Sequence, residues 1–278
     1  MISVQKAYAN DFDRVYPLLH EFDPQISQEQ WQSIFQRHWE SQDAQCGYLL
    51  IDGNEVAGFI GVMLTQREVG GRLRKFCDLG TWIVKPSHRN QSLNLLLTVL
   101  RQKEWTFTGF TANEHAHVLL KKMGFKDYQT QWRWVVPRPW PSTGSRILWG
   151  KNRIRESLDA PQRKIFEDHA KFNCFHALME AQGESCYMIL TRPKRKLPRL
   201  ELHYASDYDL LARHIVDLAN ASLTLKAAGV LVPGHRLSPP LPAWTWPIQL
   251  KYSRLYKSAD LSLKDIDTLY SELFVLGI

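Results

Sequence analysis

Hydrophobic and polar positions follow two periods along this chain, and the switches between them mark the elements. Residues 2–8 alternate as a strand. Phe12, Val15, Leu18 and Leu19 then recur at helical spacing behind Asn10 or Asp11, either of which can cap a helix. Trp31, Ile34, Phe35, His38 and Trp39 extend a helical pattern over roughly residues 28–40. The run GYLLI, the turn Asp52-Gly53 and the run VAGFIGVML predict a β-hairpin, and Gly70-Gly71 turns into a further strand ending at Val84.

Pro86 cannot donate to a sheet ladder, and a leucine-rich helix starts near Ser92. Residues 105–110 read as a short strand. The helix of residues 113–125, NEHAHVLLKKMGF, has Asn113 as its cap and Gly124 as its stop. Residues 128–136 complete a first α/β domain. Prolines crowd residues 136–146, as in a linker. Beyond it come a helix at 160–172 with Pro161 in its first turn, strands at 185–190 and 200–205, a helix capped by Asp207, and the strand-like AGVLV. The pattern S-x-x-D at Ser262 and Asp265 opens what reads as a closing amphipathic helix.

The expected class is therefore α/β, with a mixed sheet of the α+β kind. Its first domain covers residues 1–137, a Pro-rich linker residues 138–160, and a smaller α/β domain residues 161–278. A length of 278 residues agrees with two domains, and an apolar content of 44% supplies their cores. The net charge of +7 favours anionic partners without choosing among phosphates, nucleic acid and membrane surfaces. No nucleic-acid motif accompanies it, and the basic turn of residues 192–199 reads as a solvated hairpin. Cys46, Cys77, Cys174 and Cys186 show neither a C-x-x-C pair nor histidines at ligand spacing, so no metal is expected. Scattered cysteines, no signal-like N-terminus and no run of 18 apolar residues point to a soluble, cytoplasmic protein without membrane insertion.

Two segments carry a resemblance. Residues 113–125 fit N-x-x-A-x-x-L-φ-x-K-x-G-F, and residues 76–101, FCDLGTWIVKPSHRNQSLNLLLTVLR, join a strand through a tight turn to a helix. Both resemble the Gcn5-related N-acetyltransferase (GNAT) superfamily, whose order of elements the chain follows over residues 1–137. The second half, with its strand, helix and strand, resembles a divergent GNAT-like domain. Asp207 and Asp209 stand at its strand–helix junction, where acids would repel a diphosphate.

The resemblance implies an acyltransferase that moves an acetyl or other acyl group from acetyl-CoA or another acyl-CoA to an amine on a small molecule or peptide. Acyl length, oligomeric state and a carrier-protein donor stay open. The family's phosphate turn, R/Q-x-x-G-x-G/A, is matched by Arg89, Ser92 and Asn94, so Arg89, Asn90, Gln91, Ser92, Leu93 and Asn94 would cradle the pyrophosphate, with both glycine positions replaced. The backbone N–H near Val84 would polarise the thioester carbonyl, and Asn113 either bonds the pantetheine arm or only caps its helix.

The family's usual proton donor, a tyrosine, is matched by Leu120, which cannot donate. Asp78 is the candidate base or else a solvent-facing acid, and alternation puts it on one face with Trp82 and Val84. His38, beside Trp39, is either a catalytic histidine of the acceptor site or a packed one. The altered glycines and Leu120 leave a second reading, a non-catalytic GNAT-like scaffold or regulatory binding protein.

Overall fold

A computed structural model describes residues 2–41, 43–138, 141–193, 196–237 and 245–277. In chain order the elements begin β1 (Ile2–Ala7), α1 (Phe12–Phe22), α2 (Gln28–Ser33), β2 (Gly47–Asp52), β3 (Glu55–Val69), β4 (Arg72–Val84), α3 (Ser92–Leu100), β5 (Trp105–Gly109), α4 (Glu114–Lys122) and β6 (Lys126–Val135). They continue β7 (Arg146–Trp149), α5 (Lys151–Ser157), α6 (Ala160–His169), β8 (Phe175–Ala181), β9 (Glu184–Thr191), β10 (Leu200–Ala205), α7 (Tyr208–Arg213), α8 (Ile215–Ala221), β11 (Val230–Pro233), β12 (Thr245–Lys257) and α9 (Glu272–Leu276).

The chain divides into two compact units. The first is Met1–Tyr128 with Arg254–Ile266 and Tyr270–Leu276, and the second is Gln129–Ser253 with Asp267–Leu269 and the last two residues. In the first unit the strand order is β1-β2-β3-β4-β5, extended by the end of β12, where Leu255, Tyr256 and Lys257 pair with β5. Among the described residues only β4 and β5 are parallel there, and α3 makes their crossover. Leu95, Leu96 and Val99 of α3 bury against Cys77, Leu79, Phe107, Leu120 and Phe125. Among the aromatic contacts of this unit, Phe12 meets Phe35 edge-on at 5.4 Å and Phe35 stacks on Phe59 at 5.2 Å.

The second unit orders its strands β6-β11-β10-β9-β8-β7. Strands β10 and β11 run parallel and are joined through α7 and α8, the same kind of crossover as β4-α3-β5. Its core gathers Met179, Met188 and Leu202 from the sheet with Leu210, Leu211, Ile215 and Leu218 from the two helices. Asp207 caps α7 by accepting from the N–H groups of Asp209 and Leu210 at 2.9 and 2.8 Å.

Several expected boundaries shift. The helix predicted over residues 28–40 stops at Ser33 and tightens into i→i+3 turns, in which the Ile34, Phe35 and Gln36 N–H groups bond the Trp31, Gln32 and Ser33 carbonyls. Side chains also bond carbonyls of this stretch. His38 Nε2 bonds the Ser33 carbonyl oxygen at 2.7 Å, and Cys46 Sγ donates to that of Phe35 at 3.1 Å. The stretch 138–160 is not linker throughout: β7 pairs with β8, and Ile154 of α5 is fully buried. Pro139 and Trp140 of the proline cluster, and Lys194 and Arg195 of the basic turn, lie outside the described residues.

The Ser262–Asp265 pattern closes a capping box on one 3-10 turn rather than opening a long helix. Ile266, Leu269, Tyr270, Leu273, Phe274, Val275 and Leu276 are all buried, so the last segment has no polar face to leave in water.

Candidate active site

Strands β4 and β5 stay paired only from Lys75↔Trp105 to Asp78↔Thr108. Strand β5 then ends at Gly109, whereas β4 runs on to Val84, so the parallel pair opens into a gap. A bulge lies at the same level. Val62 faces Leu79 but Ile60 faces Trp82, which sets Gly80 and Thr81 against the single residue Gly61. The extra residue inverts the alternation. Trp82 and Val84 pack with Cys77 and Leu79 on the α3 side, and Asp78 faces the other way, contrary to the common face that unbroken alternation predicts.

Val84 pairs with Gly58, and the next residue, Lys85, donates its N–H to Ala57 at 2.8 Å. Hydrogen-bonded and non-bonded pairs alternate along an antiparallel ladder, so Val84 turns its N–H away from β3, toward the gap.

Asp78 is 3% exposed and is no solvent-facing acid. Its Oδ1 accepts from the Thr108 hydroxyl at 2.7 Å and its Oδ2 from the backbone N–H of Glu272 at 3.0 Å. Burial pushes its carboxyl up to about 7, against those two bonds and the charge of Arg254, while the charge of Glu272 pushes it further up. Glu272, 2% exposed, is the second acid here. Its Oε1 accepts from the Thr81 N–H at 2.6 Å and from the Thr81 hydroxyl, and its Oε2 from the Thr111 hydroxyl at 2.8 Å. Burial raises its titration too, opposed by these donors.

None of Glu272, Thr81, Thr108 and Thr111 is singled out by the sequence reading. Two signals were available. Thr106 and Thr108 alternate as polar residues in a strand whose five positions are all buried, and Glu272 is a lone charge inside the apolar run ELFVL.

His38 occupies a different place. It is half-buried, tilted against Trp39 at 5.7 Å between ring centres, and spends Nε2 on the end of α2. It lines a small pocket of about 30 Å³ with Arg37, Trp39, Ser41, Gln45 and Met63. No described contact joins it to Asp78.

At the phosphate turn, residues 86–91 form a 3-10 turn leading into α3, and the Ser92 N–H donates to the Arg89 carbonyl. Arg89, Asn90, Leu93 and Asn94 are exposed, with Gln91 and Ser92 half-buried. Where Asn113 caps α4 and Ser27 caps α2, no side chain caps α3: Gln91, at that position, takes a bond from Asn94 Nδ2 at 2.5 Å instead. The turn thus offers an exposed arginine beside a helix start without a side-chain cap, the arrangement that suits an anion.

Asn113 Oδ1 accepts from the Ala116 N–H at 3.1 Å, so the cap is made and Nδ2 is left over for another partner. Leu120 is buried in the α3-side core, and a Cβ at Gly109 would stand 3.3 Å from its Cδ1. All four cysteines are buried and free. Among the described residues no cluster of three His, Cys, Asp or Glu is placed to hold a metal, and no helix is long and apolar enough to cross a membrane.

Residues 12–125 match the family model described as the acetyltransferase (GNAT) family. Solved structures of similar fold include a GCN5-related N-acetyltransferase from Kribbella flavida, at TM-score 0.60 and 13% identity over 94% of this chain and 71% of that one. A conserved protein of unknown function from Enterococcus faecalis V583 aligns at 0.59 and 13%, over 95% of this chain and 74% of that one. A GCN5-related N-acetyltransferase from Anabaena variabilis aligns at 0.57 and 12%, over 92% and 72%. At such identities these likenesses establish the fold alone. A search of curated proteins finds no match. Residues 12–125, which contain the β4–β5 gap and the β4 bulge, are thus a domain that matches the acetyltransferase (GNAT) family.

Proposed function

We propose that the protein is an N-acyltransferase that moves an acetyl or other acyl group from acetyl-CoA or a related acyl-CoA to an amine of a small molecule or peptide. The observation that carries this reading is the gap between β4 and β5, with the Val84 N–H turned into it and a buried carboxyl of near-neutral pKa at its root. Arg89 and the first turn of α3 bind the pyrophosphate, and Asn113 Nδ2 bonds the pantetheine arm. The acceptor arrives as an ammonium and must lose a proton before it can attack. The buried carboxyls at the root of the gap, Asp78 and Glu272, both raised by burial, suit the task of taking that proton and releasing it again.

The neutral nitrogen then attacks the thioester carbonyl, whose oxygen is stabilised by the Val84 N–H. The C–N bond forms, the C–S bond breaks, CoA departs as a thiolate, and the extra proton left on the new amide nitrogen passes to solvent. With Leu120 at the matched position, that thiolate leaves without a tyrosine proton, which a thiol of pKa near ~8.5 allows. By the resemblance His38 stands on the acceptor side, although the small pocket it lines has room for little more than a water. We read the second unit as a divergent GNAT-like domain that binds no CoA. What supports this is its parallel β10–β11 crossover and the neighbours that cover over nine-tenths of the chain. Four free, buried thiols support a cytoplasmic setting.

The test is calorimetric titration with acetyl-CoA, followed by thiol release from acetyl-CoA in the presence of primary amines. Saturable binding and amine-dependent release are expected. Absence of both would favour the second reading, a GNAT-like scaffold, for which the buried Leu120 is the specific observation.

A further inference from the structure

The group nearest the candidate base comes from the far end of the chain. Glu272 is 194 residues from Asp78 in sequence, yet its main chain bonds one carboxyl of the site and its side chain is the other. The segment carrying it is fastened on several sides. Gln30 Nε2 donates to the Leu276 carbonyl at 2.8 Å, and Ser33 Oγ to that of Val275 at 3.2 Å. Tyr270 meets Trp39 edge-on at 5.3 Å and lies 5.2 Å beneath the Arg67 guanidinium. Gly80 leaves the space for the carboxylate: a Cβ there would stand 2.9 Å from Glu272 Oε1.

We propose that Glu272 is a working part of the transfer site, forming with Asp78 a buried carboxyl pair that holds one proton, reached from the β4–β5 gap through the hydroxyl of Thr111. This rests on the acyltransferase reading above. The division of labour follows from the donors. Glu272 receives three, the Thr81 N–H and the hydroxyls of Thr81 and Thr111, while Asp78 receives two. The acid with more hydrogen-bond donors, Glu272, ionises first, and its charge then keeps the proton on Asp78.

Arg254, at the end of β12, acts on Asp78 in the opposite sense, and Cys77, its neighbour on β4, has its own thiol pushed well up by burial and by Asp78. Thr111 is half-buried, unlike the two acids, and stands just past the end of β5. An acceptor ammonium at its hydroxyl gives a proton to Thr111 Oγ1 as that oxygen passes its own to Glu272 Oε2. The amine becomes neutral and Glu272 a carboxylic acid, and after acyl transfer the proton returns to solvent by the same path. Glu272 acts through Thr111 and is a positioning residue.

Carbon-13 titration of the labelled Asp and Glu carboxyls, with Asp78→Asn and Glu272→Gln assigning the two signals, reads the pair directly and needs no substrate. In the unaltered chain Asp78 should titrate near neutrality, with a second inflection at the midpoint of Glu272. In Glu272→Gln its midpoint should fall by about one pH unit or more, because the like charge is gone while the backbone bond to Asp78 stays. An unmoved midpoint overturns the proposal. Should that variant not fold, the unaltered chain still decides, since a single Asp78 inflection in the ordinary carboxylate range overturns it equally.

Thiol release from acetyl-CoA then tests the route. Thr111→Val should cut turnover tenfold or more with the KM for acetyl-CoA unchanged, and Thr111→Ser should restore it. Equal turnover in Thr111→Val rejects the route. A chain that releases no thiol at all overturns the transferase reading instead, with the titration still deciding the pair.

Discussion

The backbone N–H of Glu272 donates to Asp78 Oδ2 at 3.0 Å, joining the C-terminal segment to the middle of β4. Both side chains are buried with their carboxyls facing hydroxyls rather than cations, apart from the Arg254 charge felt by Asp78. Such a site holds protons more tightly than water does, and that has a consequence for stability.

Asp78 titrates at about 7 in the fold and at an ordinary carboxylate value of 3.8 when unfolded. A raised carboxyl binds its proton better in the folded state, so its contribution is fully present below the unfolded value and is lost as pH rises through the folded one. Between pH 4 and 8 the loss amounts to roughly 3–5 kcal/mol. Urea unfolding at pH 5 and pH 8 should show the unaltered chain weakening with pH and Asp78→Asn weakening much less. Equal pH dependence in both would mean that Asp78 does not titrate in that window.

How much of this is legible in the sequence depends on the distance over which each signal acts. Asn113, Asp207 and the Asp52-Gly53 turn are local, since a cap or tight turn needs only residues within three or four positions, and the structure places each as the pattern implies. The β4 bulge is not local. Nothing in residues 76–84 tells that Gly80 and Thr81 will face one residue of β3, so alternation carried Asp78 to the wrong face. Glu272 was out of reach for the same reason, because the donors that make a buried charge tolerable there, Thr81 and Thr111, lie more than 150 residues away.

Arg89 is the exposed cation at the start of α3, next to a helix N-terminus that no side chain caps. Replacing it by Ala should weaken CoA binding by roughly 1–3 kcal/mol, as for losing a charge-assisted bond. Calorimetry checks this, with circular dichroism to confirm that the fold is kept. An unchanged dissociation constant moves the pyrophosphate elsewhere.

The oxygen of Asn113 caps α4, and on the proposed acyltransferase reading its nitrogen would bond pantetheine, so the two functions are separable. Asp keeps the capping oxygen and lacks the nitrogen, whereas Ala lacks both. Asn113→Asp should therefore hold its melting temperature but bind CoA more weakly, and Asn113→Ala should also lose about 1 kcal/mol of stability. If Asn113→Asp binds CoA as well as the unaltered chain, the residue is a cap alone.

Leu120 stands where the family's tyrosine is found, and it is core. Truncation to Ala should cost about 2–5 kcal/mol by opening a cavity beside Gly109, Leu96 and Phe107. Leu120→Tyr should destabilise as well, by roughly 1–3 kcal/mol, since the larger ring must displace packed neighbours. Denaturant midpoints decide. A tyrosine variant as stable as the parent would show room for a proton donor at this position.

A chain ending at Arg138 contains the whole segment that matches the family, yet it should not fold as the first unit does. It lacks Leu255 and Tyr256, which extend the sheet beyond β5, and Tyr270, Leu273 and Phe274, which are buried with the C-terminal segment. Burying such a side chain contributes roughly 1.5–3 kcal/mol, so five together are comparable with the whole stability of a domain, about 5–15 kcal/mol. The cut also uncovers Asp78 and removes the carboxylate that the Thr81 and Thr111 donors satisfy. Near-ultraviolet circular dichroism and binding of a hydrophobic dye measure the outcome: weak tertiary signal, strong dye binding and no cooperative melt are expected. A sharp melt near that of the full chain, without dye binding, would show that the C-terminal segment is dispensable for the fold, and its role would then rest on the proton chemistry of Glu272 alone.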